Sequence, residues 1–355
     1  MDKLIEDIVK IIKGYRKDDI GFFYKQKIDE DHVKRWIEQF NEEDREFILT
    51  EFLHLLPQSY LSKKNTLKIL GNEFETLRKD FEYEKVEDFL DETKFLDCQE
   101  YGRSQKIFLK FVEEILQEKY NYKIEDCGTK EIKNWIYFDD VLASGGTFRE
   151  DILKEITDFG IDNFKESNIK IIASFIILHT WGKNNVSFTI DNKIGYNLGN
   201  RLKYYRVAEI ENNPRINYFN SNPEFNHLFP LKSDLGDEIL DFIENSFERE
   251  YKMRNEEFAF RNPEYPKKED FFSNSENRAR YENIMLRKGF EIMQQIEYLT
   301  AHSLRPLGMT SPSNKTLGTG SHFFTWRNIS NTCPLVFWWG SNWYPLFPPK
   351  NRGNH

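Results

Sequence analysis

The sequence predicts an α/β protein with a mostly parallel sheet, extended by helices at its N-terminal end and by an aromatic-rich α+β cap at its C-terminal end. Two apolar runs, residues 135–138 and 171–178, have the composition of strands that are covered on both faces, as parallel strands are. Amphipathic helical patterns surround them. At 355 residues the chain is long enough for two domains, or for one domain with large additions.

Three regions follow one another along the chain. Residues 1–92 have apolar residues at helical spacing and are predicted to form an N-terminal helical region. Residues 212–355 are charged and aromatic, and we expect them to form a helical and aromatic C-terminal cap. Residues 93–211 are predicted to form the α/β core, with strands at 94–98, 134–138, 169–180, 186–190 and 202–210.

A long helix is predicted at residues 276–299 of the cap. Arg278 and Glu282 lie four residues apart on it, so their side chains are spaced to pair on one helix face. We expect this pair to be solvated at the surface.

The most informative segment is residues 134–147, which read Asn-Trp-Ile-Tyr-Phe-Asp-Asp-Val-Leu-Ala-Ser-Gly-Gly-Thr. A strand, a glycine-rich turn and a helix start in this order form an anion site, because free backbone N–H groups and the helix dipole converge on the turn. The carboxylates of Asp139 and Asp140 suit hydroxyl groups or a divalent cation rather than the anion. The segment therefore predicts a ligand with a phosphate beside a sugar diol. The alternative is an ordinary strand–turn–helix junction that binds nothing.

This segment resembles the phosphoribosyl pyrophosphate motif of type I phosphoribosyltransferases, in which two acids precede a Thr/Ser-Gly-Gly-Thr loop. The resemblance implies a sheet of phosphoribosyltransferase type, with Mg²⁺ bound together with the pyrophosphate. It makes Asp139 and Asp140 the catalytic residues. They would hold the ribose by its hydroxyl groups, and they would hold the metal through those hydroxyl groups or through water. Ala143 departs from the hydroxyl residue often found at its position. The residues assigned to the 5′-phosphate are Ser144, Gly145, Gly146 and Thr147.

A second strand–loop–helix unit lies upstream, where phosphoribosyltransferases place the loop that grips pyrophosphate. Gly102 would allow close backbone approach, and Arg103 and Ser104 are suited to donate to a phosphate. The alternative is a plain helix start, with Ser104 as its cap and Arg103 in solvent.

The chain is short where transferases of this fold have a strand and a long mobile catalytic loop. Only residues 121–133 separate the helix predicted to end near Tyr120 from the motif strand. A short loop leaves the leaving group less shielded from water. This favours hydrolysis, or binding alone, over transfer to a base.

The C-terminal segment from Leu299 to His355 contains no Asp or Glu, and it holds four of the seven tryptophans. A basic aromatic segment can attract phosphates and stack on bases. We therefore expect it to form a hood over the phosphate loop, with Arg305, Trp326 and Arg327 as hood residues. The alternative is that its tryptophans simply pack the N-terminal helices into the body.

Several short patterns, including Gly102-Arg103-Ser104-Gln105, the Asp-Asp loop and a C-terminal Pro-Leu-x-x-Trp-Trp segment, resemble the bacterial phosphoribosyltransferase-like conflict effectors (PRTase-CE). This resemblance implies a role in antiphage or inter-genomic defence, an activity aimed at nucleotides, and a protein partner encoded in a defence operon.

Composition excludes some classes of protein. The three cysteines are scattered and odd in number, which argues against a disulfide framework and a structural zinc site and fits a reducing cytosol. The N-terminus is charged from its second residue and has no continuous apolar stretch, so no signal peptide or membrane anchor is expected. These features predict a cytoplasmic protein without a membrane partner.

Three functions remain open on the sequence. The first is an enzyme, a glycosyltransferase or hydrolase that acts at the anomeric carbon of a phosphoribosyl compound or nucleotide. The second is a non-catalytic sensor that binds phosphoribosyl pyrophosphate or a nucleotide and signals to a partner. The third is a nucleic-acid-binding module that uses the aromatic C-terminal segment.

Overall fold

The computed structural model of the protein describes residues 1–19, 27–100, 104–218, 220–247, 252–254 and 258–350. The chain divides into two units, one formed by residues 1–63 with 210–355 and the other by residues 64–209. Within the described ranges, every helix is too short or too polar to serve as a membrane span. In chain order the elements are α1 (Asp2–Ile12), α2 (Glu30–Ile37), α3 (Glu42–Ser59), β1 (Tyr60–Leu61), α4 (Lys63–Asp80), α5 (Val86–Asp91), β2 (Thr93–Phe95), α6 (Ser104–Tyr120), β3 (Asn134–Leu142), α7 (Gly146–Phe159), α8 (Ile161–Glu166), β4 (Lys170–His179), α9 (Thr180–Ile194), β5 (Leu202–Ile210), α10 (Asp234–Phe247), α11 (Ser275–Gln294), β6 (Phe324–Thr325) and α12 (Leu335–Trp338).

Four strands of the unit formed by residues 64–209 make one sheet in the order β2-β3-β4-β5. The β2–β3 and β3–β4 pairs are both parallel. Asp139 of β3 lies opposite Phe175 of β4, and Phe138 lies opposite Ser174. The predicted α/β class with a parallel sheet is therefore confirmed. Because parallel strands end at the same edge of a sheet, the loops that follow them meet there.

Both faces of this sheet are covered, as its apolar strands predict. On one face, Tyr137 and Phe175 pack in a core with Phe148 and Ile152 of α7 and with residues of α9. On the other face, the ring of Phe138 lies 6.1 Å from that of Phe74 in α4. Successive side chains of a strand point to opposite faces, so β3 contributes Tyr137 to one core and Phe138 to the other.

The strand predicted at residues 186–190 is wrong, because this segment lies inside α9. Val186, Ile190 and Ile194 recur every four residues and are all buried, so they form the inner face of a helix. The apolar–polar alternation within residues 186–190 predicts a strand, whereas the four-residue spacing of buried residues from 186 to 194 is typical of a helix. The strand predicted at 202–210 is present as β5.

The unit formed by residues 1–63 and 210–355 has an aromatic core shared by both ends of the chain. The ring of Trp36 in α2 stacks 5.7 Å from that of Phe337 in α12, and the Trp36 Nε1–H donates to the Val336 carbonyl at 2.8 Å. The ring of Phe347 stacks on that of Phe324 at 4.6 Å. The C-terminal aromatic segment therefore packs against the N-terminal helices.

The predicted surface ion pair of α11 is instead buried. Arg278 is 0% exposed and Glu282 is 1% exposed, and the two side chains are joined at 3.3 Å. Arg278 also pairs with Glu269, and Arg261 lies 3.5 Å from Glu282. The prediction was wrong because these charges are satisfied by residues distant in sequence, which include the Phe229 N–H that donates to Glu282 at 3.0 Å. Burial of charge requires such pairing.

Replacement of Trp36 by alanine tests the shared aromatic core. Trp36→Ala removes a fully buried ring and its hydrogen bond, so it should lower the free energy of unfolding by about 3–5 kcal/mol and the melting temperature by roughly 10 °C. Phe188→Ala is the control, since this ring is 70% exposed and its loss should change the melting temperature by less than about 2 °C. Equal shifts in the two variants would contradict the assignment.

Candidate functional site

The loop between β3 and α7 needs glycine at its last position. Gly145 has φ +73° and ψ 11°, in the left-handed region that favours glycine. A Cβ atom there would also lie 2.1 Å from Cγ2 of Val186. The chain therefore turns sharply at Gly145 and enters α7 at Gly146, and the first backbone N–H groups of a helix have no partner within the helix.

A second glycine supports the loop from behind. A Cβ atom on Gly182, in the first turn of α9, would lie 1.7 Å from the carbonyl oxygen of Ala143. The helix therefore lies directly against the backbone of the loop. A Cβ atom on Gly146, by contrast, would meet nothing nearer than Ser144 Oγ at 3.8 Å. The loop is thus packed on its inner side and open on its outer side.

A cavity of about 490 Å³ opens at this edge of the sheet, within the unit formed by residues 64–209. It brings together the acid pair, the phosphate loop and one residue of the predicted pyrophosphate loop, Ser104. Gly102 and Arg103, the other two residues of that loop, lie outside the described residues. The sequence-predicted residues that line the cavity are Ser104, Asp139, Asp140, Ser144, Gly145, Gly146 and Thr147.

The two acids occupy different environments. Asp139 is only 8% exposed, and its Oδ1 accepts the Asp140 backbone N–H at 2.8 Å while its Oδ2 accepts Gln99 Nε2 at 2.9 Å. Asp140 is more exposed and lines the cavity beside it. Asp139 is therefore a fixed charge held by the protein, and Asp140 is the more accessible carboxylate.

A third carboxylate, Asp151 of α7, also lines this cavity. The hydroxyl of Tyr137 donates to Asp151 Oδ2 at 2.8 Å, and Gln99 Nε2 donates to the same hydroxyl at 2.8 Å. Burial raises the pKa of Asp151 above its ordinary value, the hydrogen bond from Tyr137 lowers it, and the nearby charge of Asp139 raises it again. The sequence analysis missed Asp151. Its position four residues after Thr147, one helical turn beyond the loop, was the signal that would have found it.

Gln99 is held by a residue of α6. Gln105 is fully buried, and its Oε1 accepts the backbone N–H groups of Cys98 and Gln99 at 2.8 and 2.9 Å. This fixes the chain after β2 and aims the Gln99 amide at Tyr137 and Asp139. Burial raises the pKa of the neighbouring Cys98 thiol to about 12, so at neutral pH this thiol is protonated and a poor nucleophile.

The described lining is acidic. Glu100, Asp139, Asp140 and Asp151 contribute carboxyl groups, whereas none of the described lining residues is Lys or Arg. Positive potential there comes from the backbone N–H groups at the start of α7. Oxygen donors of this kind suit Mg²⁺, which usually keeps several waters and shares its coordination with substrate phosphates. Among the described residues, no group of three or more His, Cys, Asp or Glu side chains is arranged to hold a metal ion.

The predicted hood residues have partners in their own unit. Arg305 is fully buried, and its Nη1 donates to the carbonyls of His302 and Leu304 at 2.8 and 2.7 Å. Trp326 is 4% exposed, and its carbonyl accepts the Arg16 N–H at 2.6 Å. Arg327 is partly exposed. These contacts supply a packing role for Arg305 and Trp326, and the hood itself stays a prediction.

Comparison with known proteins gives one match. A family model described as PRTase-CE matches residues 33–348. The match covers most of the chain and includes the phosphate loop and the acid pair. No curated protein and no solved structure matches the chain.

The raised pKa of Asp151 predicts a pH-dependent effect of its replacement. A carboxyl group with a higher pKa in the folded than in the unfolded state stabilises the fold while protonated, and that stability is lost as pH rises through the folded pKa. Asp151→Asn should therefore gain stability relative to wild type as pH increases from 4 to 7. Melting temperatures across this range measure the difference.

The control for this experiment is Asp158→Asn, on the same helix. The Asp158 side chain is 59% exposed and pairs with Lys154 on the surface, an interaction that contributes little. If the melting temperature of Asp151→Asn relative to wild type falls as pH rises, then burial does not disfavour the ionised form of Asp151.

Proposed function

The chain belongs to the PRTase-CE family, since the family model covers most of its length, and we propose that its cavity binds a phosphoribosyl pyrophosphate- or nucleotide-like ligand and acts at the ribose anomeric carbon. In this proposal the protein is an effector of a bacterial conflict or antiphage system. The observation that carries the proposal is that a phosphate-type loop and an acid pair line one cavity.

Each part of the ligand has a partner of suitable chemistry. The 5′-phosphate would accept hydrogen bonds from the backbone N–H groups of residues 145–147, where the helix dipole of α7 favours an anion. The ribose hydroxyls would donate to Asp140, with Asp139 held behind it as a fixed negative charge. Ser104, which lines the cavity, would donate to the pyrophosphate.

A divalent cation would reconcile the acidic lining with an anionic ligand. Pyrophosphate oxygens repel the carboxylates of Asp139, Asp140 and Asp151 unless positive charge lies between them. Mg²⁺ bound by the ligand, by water and by Asp140 would neutralise the leaving pyrophosphate. Arg103, in the predicted pyrophosphate loop, would add a charge-assisted donor.

The same negative charges suit the reaction. Displacement at an anomeric carbon passes through a cationic, oxocarbenium-like ribosyl group, which fixed carboxylates stabilise. In hydrolysis, the oxygen of a water molecule bonds to the anomeric carbon and the bond to pyrophosphate breaks with its electron pair. The water proton then passes to Asp151, whose raised pKa makes it a better base than an ordinary carboxylate.

Hydrolysis or binding alone suits this chain better than transfer to a base. Residues 121–133, where transferases have a long loop, are tied to the end of α5, because the N–H groups of Gly128 and Lys130 donate to the carbonyls of Leu90 and Asp91 at 3.0 and 2.9 Å. A segment held in this way is too short to cover a bound ligand. The alternative function is therefore a sensor that binds the same ligand without turnover and signals to a partner protein.

Nucleic-acid binding through the C-terminal aromatic residues has less support. Trp326, Trp338 and Trp339 are each 5% exposed or less. Stacking on bases requires an accessible ring face.

Release of pyrophosphate from phosphoribosyl pyrophosphate, or mass spectrometry of an incubated nucleotide pool, separates the enzyme from the sensor.

Gly146→Val tests the phosphate loop. The fold has room for a Cβ atom at Gly146, so the variant should fold, while its side chain blocks the approach of a phosphate to the loop. Binding of phosphoribosyl pyrophosphate in the presence of Mg²⁺, measured by calorimetry, should be lost. Gly340→Val is the matched control, because a Cβ atom at Gly340 meets nothing within 4 Å, and one at Gly146 meets Ser144 Oγ at 3.8 Å, an ordinary contact distance. If Gly146→Val binds as tightly as wild type, the phosphate site lies elsewhere.

The double variant Asp139→Asn/Asp140→Asn tests the sugar and metal side of the cavity. Asparagine keeps the volume and removes the charge, so each lost charged hydrogen bond should cost about 1.5–3 kcal/mol of binding free energy. The same calorimetric titration measures this loss. Asp158→Asn/Asp162→Asn, at exposed positions of α7 and α8, should bind as wild type does. Unchanged affinity in the Asp139→Asn/Asp140→Asn variant would show that these two carboxylates do not contact the ligand.

A further inference from the structure

The cavity at the β3–α7 loop has more carboxyl groups than a ribose diol can use. Asp139 and Asp140 are enough for the hydroxyl groups of the sugar, and Glu100 and Asp151 also line the cavity. None of the described lining residues is Lys or Arg. One guanidinium group, such as that of Arg103, which lies outside the described residues, would offset only one of these four carboxylates. The lining therefore favours positive charge in the part of the ligand beyond its phosphate.

Described basic residues close to the lining in sequence pair with carboxylates that do not line the cavity. Lys106 of α6 lies 2.5 Å from Asp97, and Arg149 of α7 lies 3.1 Å from Glu150. The three lysines of residues 121–133 are paired in the same way, Lys123 with Glu125, Lys130 with Asp91 and Lys133 with Glu92. These cations are directed to other carboxylates, so the described lining keeps its net negative charge.

Apolar side chains form another part of the cavity wall. Val141, Phe148 and Phe175 line the cavity together with the carboxylates. A hydrated Mg²⁺ ion would use only the oxygen atoms of such a wall. An organic cation with a planar ring would also use its apolar part. The lining therefore matches a heteroaromatic ring that carries a positive charge.

We propose that the ligand of this cavity is an N-ribosyl pyridinium 5′-phosphate, in which a positively charged pyridine-type ring is joined to the anomeric carbon. This inference rests on the proposed function, because the 5′-phosphate would bind at the β3–α7 loop and the diol at Asp140. The ring would supply the positive charge that Glu100 and Asp151 attract. A ligand of this class binds without a metal ion to balance the carboxylates.

The charge of the leaving group distinguishes this class from other phosphoribosyl compounds. Pyrophosphate and an unprotonated purine or pyrimidine base leave with negative charge, which the carboxylates oppose. A pyridinium ring leaves as a neutral base. In hydrolysis, the oxygen of water bonds to the anomeric carbon, the carbon–nitrogen bond breaks with its electron pair on the ring nitrogen, and the water proton passes to Asp151. The positive charge moves from the ring to the ribosyl group, where the carboxylates continue to stabilise it.

Calorimetric titration of the full chain in the absence of Mg²⁺ tests the inference with nicotinamide mononucleotide and its reduced form. The two molecules have nearly the same shape, but only the oxidised ring is positively charged. The oxidised form should bind about tenfold more tightly or better, because the carboxylates attract its ring. Phosphoribosyl pyrophosphate without Mg²⁺ should bind more weakly than the oxidised form.

The double variant Glu100→Gln/Asp151→Asn removes the two carboxylates that the ribose does not need. Its preference for the oxidised form should fall to about threefold or less, because two attractive charges are lost. Asp158→Asn/Asp162→Asn is the matched control. It removes two exposed charges of α7 and α8 and should keep the full preference.

Equal affinity for the oxidised and reduced forms would overturn the inference, and so would an unchanged preference in Glu100→Gln/Asp151→Asn. Tighter binding of phosphoribosyl pyrophosphate than of the oxidised form without Mg²⁺ would overturn it as well. If phosphoribosyl pyrophosphate binds with Mg²⁺ and neither mononucleotide binds, the inference fails and the proposed function stands. If none of the three ligands binds with or without Mg²⁺, the proposed function fails together with the inference.

Discussion

The close approach of α9 to the β3–α7 loop is the constraint on which the candidate site depends. Gly182 brings the helix against the Ala143 carbonyl, and Gly145 takes a left-handed turn that no side chain would fit beside Val186. The inner side of the loop is packed in this way, and residues 143–147 line the cavity. In the proposed anion site, this rigid packing would reduce the entropy lost when the ligand binds.

Around that loop, a series of hydrogen bonds holds the carboxylates in place. Gln105 holds the chain after β2, Gln99 bridges from it to Asp139 and Tyr137, and Tyr137 donates to Asp151. Among the described residues, Gln99 and Tyr137 supply neutral donors to the carboxylates of Asp139 and Asp151.

The parts of the site that are continuous in sequence were predictable, and the parts assembled by the fold were not. The β3 strand, its glycine loop and the start of α7 follow from residues 134–147, and β4 follows from its apolar run. Asp151 lies one helical turn beyond the loop, a spacing that is visible in the sequence. Gln99 reaches Asp139 through a tertiary hydrogen bond, which no local pattern reveals. The same reason explains the buried Arg278–Glu282 pair, whose partners are distant along the chain.

The central claim is that the β3–α7 loop holds the 5′-phosphate of a phosphoribosyl ligand. A crystal structure of the full chain with Mg²⁺ and phosphoribosyl pyrophosphate tests it most directly. The account predicts the 5′-phosphate against the backbone N–H groups of residues 145–147, with the ribose hydroxyls at Asp140. A ligand bound with its 5′-phosphate away from this loop, or a cavity left empty at saturating ligand, would contradict it.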